Sequence, residues 1–222
     1  MNSISYEEMY EMASTGAKVI NSRAVALAKE SQMPIRIRST FWPQDAGTLI
    51  TDLSNTPDYS ISGITYDLNQ VWFNWKMLIH NDQANKLDSV ASLFLRLDEL
   101  NIHADMVMLL AREDEPLQEL VFTVEKTAAE RVRAVIESYA STKDSKLITD
   151  DKLARISVIS RKLNGKPEIV ASVFDALNHA NIPVNMVATS DLRFSFLVPK
   201  THADESLNLV HEHFNLSNPD RN

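Results

Sequence analysis

Apolar and polar positions along this chain change period several times, and each change marks an element. Ile169, Val170, Val173, Phe174 and Leu177 fall at the three-and-four spacing of one helical stripe, which predicts a helix over 167–180 laid on a sheet. Apolar runs at 154–160, 184–189 and 193–198 read as strands, and 202–214 reads as a second helix. The same order recurs upstream, with a strand over 71–79, a helix over 87–100, strands over 104–110 and 117–124, and a helix over 127–139. In its first strand Val71, Phe73 and Trp75 alternate with Trp72, Asn74 and Lys76, the period of a half-buried strand.

The recurrence is also literal. Shifted by 80 residues, Val90-Ala91-Ser92-Leu93-Phe94 lies on Val170-Ala171-Ser172-Val173-Phe174, and Leu97, Asn101, Ile102, Met106 and Val107 lie on Leu177, Asn181, Ile182, Met186 and Val187. Leu93 against Val173 is the sole mismatch among these pairs. Two copies point to duplication of one domain and not to a solenoid. Each copy reads as a βαββαβ module, a four-stranded sheet backed by two helices, so the expected class is α+β with two ferredoxin-like modules. The first 58 residues differ. Ser5 followed by Glu8 forms a capping-box pattern opening a helix through about Ala13, a second helix is expected over 24–29, and Pro34–Arg38 alternates like a strand. Trp42-Pro43, Ala46-Gly47 and Thr56-Pro57 punctuate the approach to the repeats, placing a boundary near residue 58. The expected domains are 1–58, 59–152 and 153–222.

Composition removes several function classes. The chain has 222 residues, 44% hydrophobic and 23% charged, enough to bury real cores. Its net charge of −8 repels polyanions, which argues against nucleic acid. The absence of cysteine excludes disulfides and thiolate sites and is compatible with the cytoplasm. The polar, acidic first ten residues and the lack of a long apolar run argue against a signal peptide and a membrane span. His211 and His213 are two apart on an expected helix and point to different faces, so no metal site is expected. No phosphate-cradling glycine run and no nucleophile turn occurs, so neither a cofactor nor a catalytic site is expected. Backbone binding remains: Asn85-Lys86-Leu87-Asp88 and Asn164-Gly165-Lys166-Pro167-Glu168 lead into helices, whose free N–H groups attract an anion such as an amino-acid carboxylate, although spacing alone favours reading each as a capped surface turn.

The motifs then resemble a known family. Ser5-Tyr6-Glu7-Glu8-Met9, Gly16-Ala17-Lys18-Val19-Ile20, Arg23-Ala24-Val25, Pro34–Ser39 and Gly47-Thr48-Leu49-Ile50 are similar to the end of the aspartate kinase catalytic domain. Ser62-Gly63-Ile64-Thr65-Tyr66-Asp67 resembles the lead into that family's paired ACT domains, and Ile156-Ser157-Val158, Asn181-Ile182 and Thr189-Ser190-Asp191-Leu192 resemble the ACT core and its effector stretch. The resemblance implies a regulatory, non-catalytic portion of an aspartate kinase. It implies an effector, lysine or threonine, bound at ACT interfaces, homodimerisation through the ACT pair, and an aspartate kinase catalytic domain as partner. It also implies that the strand near 60–66 completes the second ACT sheet. The family's ATP- and aspartate-binding motifs are expected upstream of the segment this chain covers.

Effector-binding candidates carried by the resemblance are Asp105, Asn181, Thr189 and Ser190, with Asp88 and Glu168 at the helix starts. Where the family has Pro-Gly, this chain has Leu87-Asp88 and Pro167-Glu168. A carboxylate there competes with a ligand carboxylate for the same N–H groups. Leu109 stands where the family has a glutamine, and Ala188 where it has a serine. Leu109 cannot hydrogen-bond a ligand, so the first copy is expected to be nearly silent and the second to carry any response. The competing expectation is an ACT scaffold that supports oligomerisation without sensing.

Overall fold

The computed structural model describes residues 2–42, 44–53, 61–78, 88–111, 117–139, 145–161, 163 and 166–216. The chain forms two compact units, one of residues 1–67 with 154–222 and one of residues 68–153.

The second unit is one βαββαβ module read straight along the sequence: β5 (Gln70–Leu78), α3 (Asp88–Glu99), β6 (Ala104–Ala111), β7 (Leu117–Glu125), α4 (Ala129–Tyr139) and β8 (Ser145–Asp150). The sheet order is β6-β7-β5-β8. Val71, Phe73 and Trp75 are buried against Leu93, Leu97, Val132 and Ile136 of the two helices, as the alternation of β5 requires. Asn74 and Lys76 on the opposite face share the carboxylate of Glu119, at 2.8 and 2.9 Å. Strand β8 was not foreseen, because its apolar residues Leu147 and Ile148 are adjacent and do not alternate.

The first unit contains the other module and the N-terminal segment. Its sheet order is β10-β11-β9-β4, from β4 (Ile61–Asp67), β9 (Leu153–Ser160), β10 (Met186–Thr189) and β11 (Arg193–Pro199), with α5 (Pro167–His179) and α6 (Ala203–His213). Strand β4 pairs antiparallel with β9 and holds the place that β8 holds in the other sheet. A strand preceding the first module therefore completes the second, as the resemblance implied. The stripe Ile169, Val173 and Leu177 packs on Ile156, Val158, Phe194 and Phe196. Phe174, on the same stripe, is half exposed and meets Phe194 edge-on at 5.8 Å.

The N-terminal segment comprises β1 (Ser3–Ser5), α1 (Tyr6–Ser14), α2 (Ser22–Glu30), β2 (Ile35–Ile37) and β3 (Thr48–Thr51) in a small sheet of order β1-β3-β2. The expected capping box is present, with the Glu8 backbone N–H donating to Ser5 Oγ and the Ser5 backbone N–H donating to Glu8 Oε2. Strands β1 and β3 were missed because neither alternates as β2 does: β1 carries a single apolar residue, Ile4, and in β3 the apolar Leu49 and Ile50 are adjacent. The boundary expected near residue 58 lies outside the described residues.

Helix α1 covers the face of the β4–β9 sheet turned away from α5 and α6. Thr15 and Thr65 hydroxyls are 2.7 Å apart, and Met12 lies against Gly63, where a Cβ would meet its terminal methyl at 2.8 Å. Strand β9 is buried along its whole length, and the polar residues on its second face are paired there, Arg155 with Asp67 and the Ser157 hydroxyl with that of Ser195.

Candidate functional site

The start of α5 and the turn between β10 and β11 face each other across a cleft of about 310 Å³. One wall is apolar, from Leu163, Pro167 and Val170, and the rest is polar, from Lys166, Thr189, Ser190 and Asp191. The turn has internal order. The Ser190 backbone N–H donates to the Arg193 carbonyl at 2.7 Å, while Ser190 Oγ accepts the N–H of Arg193 at 3.1 Å and of Leu192 at 3.4 Å. It is also tied to the strand end opposite, since Ser160 N–H donates to the Leu192 carbonyl and Leu163 N–H to the Asp191 carbonyl, at 2.9 and 3.0 Å.

Two cations bracketing the cleft reach α1. Arg161, two residues before Leu163, donates Nε to Glu8 Oε2 at 3.2 Å. Glu8 is 2% exposed and is also bonded by Ser5 Oγ at 2.5 Å and by Ser62 Oγ. Arg193, closing the Ser190 turn, stands 3.6 Å from Glu11 Oε2. The pairs are largely desolvated, so they orient α1 more firmly than exposed pairs would.

Of the candidate residues, the fold brings Thr189 and Ser190 into this cleft. Glu168 is the second residue of α5, exposed and not part of the cleft wall. Asn181 lies beyond the far end of the same helix, about 20 Å from its start at 1.5 Å per residue. There it adopts φ 55° and stops α5, with its N–H on the Asn178 carbonyl and the Ile182 N–H on the Leu177 carbonyl. Asn101 does the same for α3 at φ 53°, with Ile102 N–H on the Leu97 carbonyl. The repeated Asn-Ile pair is thus a helix stop followed by a buried anchor. Asp88 is exposed at the first position of α3, and the loop before it, like Asn164 and Gly165, lies outside the described residues. Asp105 sits on β6, where its Oδ1 accepts the Met106 N–H at 2.8 Å and its carbonyl accepts the Thr123 hydroxyl at 3.2 Å, supporting a bulge in which Met106 has φ 50°. Leu109 pairs with Leu120 and is 39% exposed.

Sequence reasoning missed Lys166 and Asp191 as cleft residues, and Arg161 with Glu8 as a pair. Lys166 and Asp191 sit within stretches already singled out. Nothing in the sequence could pair residue 8 with residue 161. Among the described residues no group of three or more His, Cys, Asp or Glu is placed to hold a metal, and no helix is long and apolar enough to cross a membrane.

Residues 156–214 match the family model of an ACT domain. Across nearly its full length the chain is similar to Aspartokinase 2 of Bacillus subtilis (strain 168), 30% identical over 219 residues, covering 98% of this chain and 52% of that protein. The aspartokinase of Thermus thermophilus is 29% identical over 214 residues, 96% of this chain and 51% of that one. The chain thus spans about half the length of the curated relatives it matches. Among solved structures, the ligand-free regulatory subunit of aspartate kinase from Thermus thermophilus superposes with a TM-score of 0.62 at 26% identity, over 70% of this chain and 99% of that one. E. coli aspartokinase III in complex with lysine and aspartate superposes with a TM-score of 0.68 over 96% of this chain and 46% of that one, at 20% identity, a likeness of fold.

Proposed function

Since the chain is of the aspartokinase regulatory type, built on ACT domains, we propose that it senses an amino acid in the second-module cleft and transmits occupancy to its N-terminal segment. Lysine and threonine are the ligands its kinship puts forward, for feedback control of aspartate-family amino-acid synthesis in the cytoplasm. Residues 1–58 act as the C-terminal part of an amino-acid-kinase domain and linker, 59–152 as the first ACT domain with a strand shared with the second, and 153–222 as the second. Their partner is an aspartate kinase catalytic domain. The observation that carries this reading is the continuity of the cleft walls with Arg161 and Arg193, each paired to a carboxylate of α1. A ligand that shifts the Ser190 turn or Leu163 shifts the cations that hold α1. Structural likeness alone does not assign function, so the reading is tested by calorimetric titration of the intact chain with each amino acid. Ser190→Ala weakens binding and Asp105→Ala leaves it intact; the reverse pattern refutes the second-module assignment.

A scaffolding role has its own support. Strand β6 is a sheet edge on which Val107, Met108, Leu109 and Leu110 are 38–50% exposed. Apolar edges of this kind are normally covered, and a second copy of this chain is the proposed cover. If no amino acid binds the dimer at millimolar concentration, scaffolding replaces sensing.

A further inference from the structure

Phe41 is 86% exposed and Trp42 72%, the two most exposed large apolar side chains among the described residues. Both stand in the turn between β2 and β3. Resting on the catalytic-partner reading above, we infer that this turn is a docking anchor for the half of an aspartokinase that this chain does not span.

Exposure on a loose loop would mean little, but this turn is closely built. Arg36 Nη1 donates to the Ala46 carbonyl and Arg38 Nε to the Asp45 carbonyl, each at 3.0 Å. The Phe41 N–H donates to Ser39 Oγ at 3.2 Å, the Asp45 N–H to the Trp42 carbonyl at 3.1 Å, and the Gly47 N–H to Asp45 Oδ1 at 2.7 Å. Gly47 closes the turn at φ 68°, where a Cβ would fall 2.0 Å from the Ile37 carbonyl oxygen. Side chains, caps and a glycine are thus spent on fixing two aromatic residues in water. Water gives nothing back for this. A partner does, because a rigid aromatic anchor loses little freedom when it is buried and supplies much of an interface's affinity.

The position of the turn and the pairing beside it point to the occupant. Strand β1 runs parallel to β3 and β2 antiparallel to it, so the turn stands at the end of the sheet where β1 begins. The order β1-β3-β2 leaves β1 at an edge. Helices α1 and α2 cover one face through Ile4, Ile50 and Val25, while Ser3 and Arg36 on the other face are exposed. Parallel pairing belongs mostly to α/β sheets covered on both faces. A larger α/β domain is therefore the kind of partner this edge fits. Aspartokinase 2 of Bacillus subtilis has about as much chain again outside the 52% that this chain covers, enough for such a domain.

The experiment joins that unmatched part of Aspartokinase 2 to the front of this whole chain and compares the joined protein with the chain alone. Of the three tryptophans, Trp75 is buried and Trp72 half-buried, so acrylamide quenching reports chiefly on Trp42. In the chain alone Trp42 should be quenched freely, and Phe41→Ser with Trp42→Ser should leave the unfolding midpoint unchanged, since both side chains are already in water. In the joined protein the quenching should largely disappear, and the same double variant should lower the midpoint by about 5 °C or more. Co-expressed as two polypeptides, the parts should copurify, and the double variant should weaken their association at least about tenfold. Association or aspartate phosphorylation with Trp42 still quenched and the double variant silent overturns the anchor and leaves the catalytic-partner reading standing. Parts that neither associate nor phosphorylate aspartate in either format overturn both. Protection of Trp42 in the chain alone as its concentration rises assigns the turn to a second copy and overturns the proposed occupant.

Discussion

Removing Arg161 tests the link between the cleft and α1 most directly. Arg161→Met keeps much of the aliphatic stem but takes the cation away from Glu8, which is 2% exposed. Breaking a buried ion pair from one side costs about 3–5 kcal/mol because the remaining charge has no counter-ion. Glu8 keeps its bonds from the Ser5 N–H, the Ser5 hydroxyl and the Ser62 hydroxyl, so the expected cost falls to about 2–3 kcal/mol, the loss of roughly one charged hydrogen bond. Glu8→Gln alone should cost less, since Arg161 is 15% exposed and its guanidinium can turn toward water. Combining the two removes both charges, and the double variant should be more stable than the sum of the singles predicts by about 1.5 kcal/mol or more. Urea unfolding followed by circular dichroism gives the cycle, and hydrogen exchange along α1 locates the loss. A coupling below about 0.5 kcal/mol, within the scatter of independent sites, refutes the claim that this pair holds α1 to the cleft.

Gly16→Ala should destabilise the first unit by about 2 kcal/mol or more, because φ is 131° and a Cβ would come within 2.4 Å of the Tyr66 carbonyl oxygen; thermal unfolding measures it, and an unchanged midpoint refutes the close approach. Partial burial pushes the Glu7 carboxyl up, but the hydrogen bond and charge of Lys29 at 2.9 Å outweigh this and hold it below its ordinary value. The pair's contribution is therefore present above the ordinary carboxylate range and lost as pH falls through the lowered value. With both side chains about half exposed, Lys29→Met should cost no more than about 0.5 kcal/mol at pH 7, and the variant should converge with the parent in acid. Leu110→Glu on the exposed edge β6 should turn a dimer into a monomer in sedimentation velocity at micromolar concentration. A parent chain that sediments as a monomer removes that interface.

The sequence by itself determined the elements of the repeats and their duplication. Ten of them were legible from periodicity, because a helix or strand that buries one face must repeat its apolar residues at that element's own spacing. The identical pairs Leu97 and Leu177, Ile102 and Ile182, and Met106 and Met186 are buried, while Ala91 with Ala171 and Asn101 with Asn181 are exposed, so identity between the copies followed the core only in part. The bulge at Asp105, which turns on a non-glycine residue at positive φ, has no such period and could not be read. Of the site, Thr189 and Ser190 were named from the motif they resemble, while Asn181 drew notice for a feature shared by both copies that proves to be a helix stop. Periodicity could not tell which strand completes which sheet, since β4 and β9 stand nearly a hundred residues apart and hydrogen bonding between strands leaves no local trace; the family resemblance alone implied it. Tertiary structure alone decided the cleft and its link to α1. Glu8 reads locally as half of a capping box, and it becomes the counter-ion of Arg161 because folding carries both into one desolvated place, where an unpaired charge would be costly.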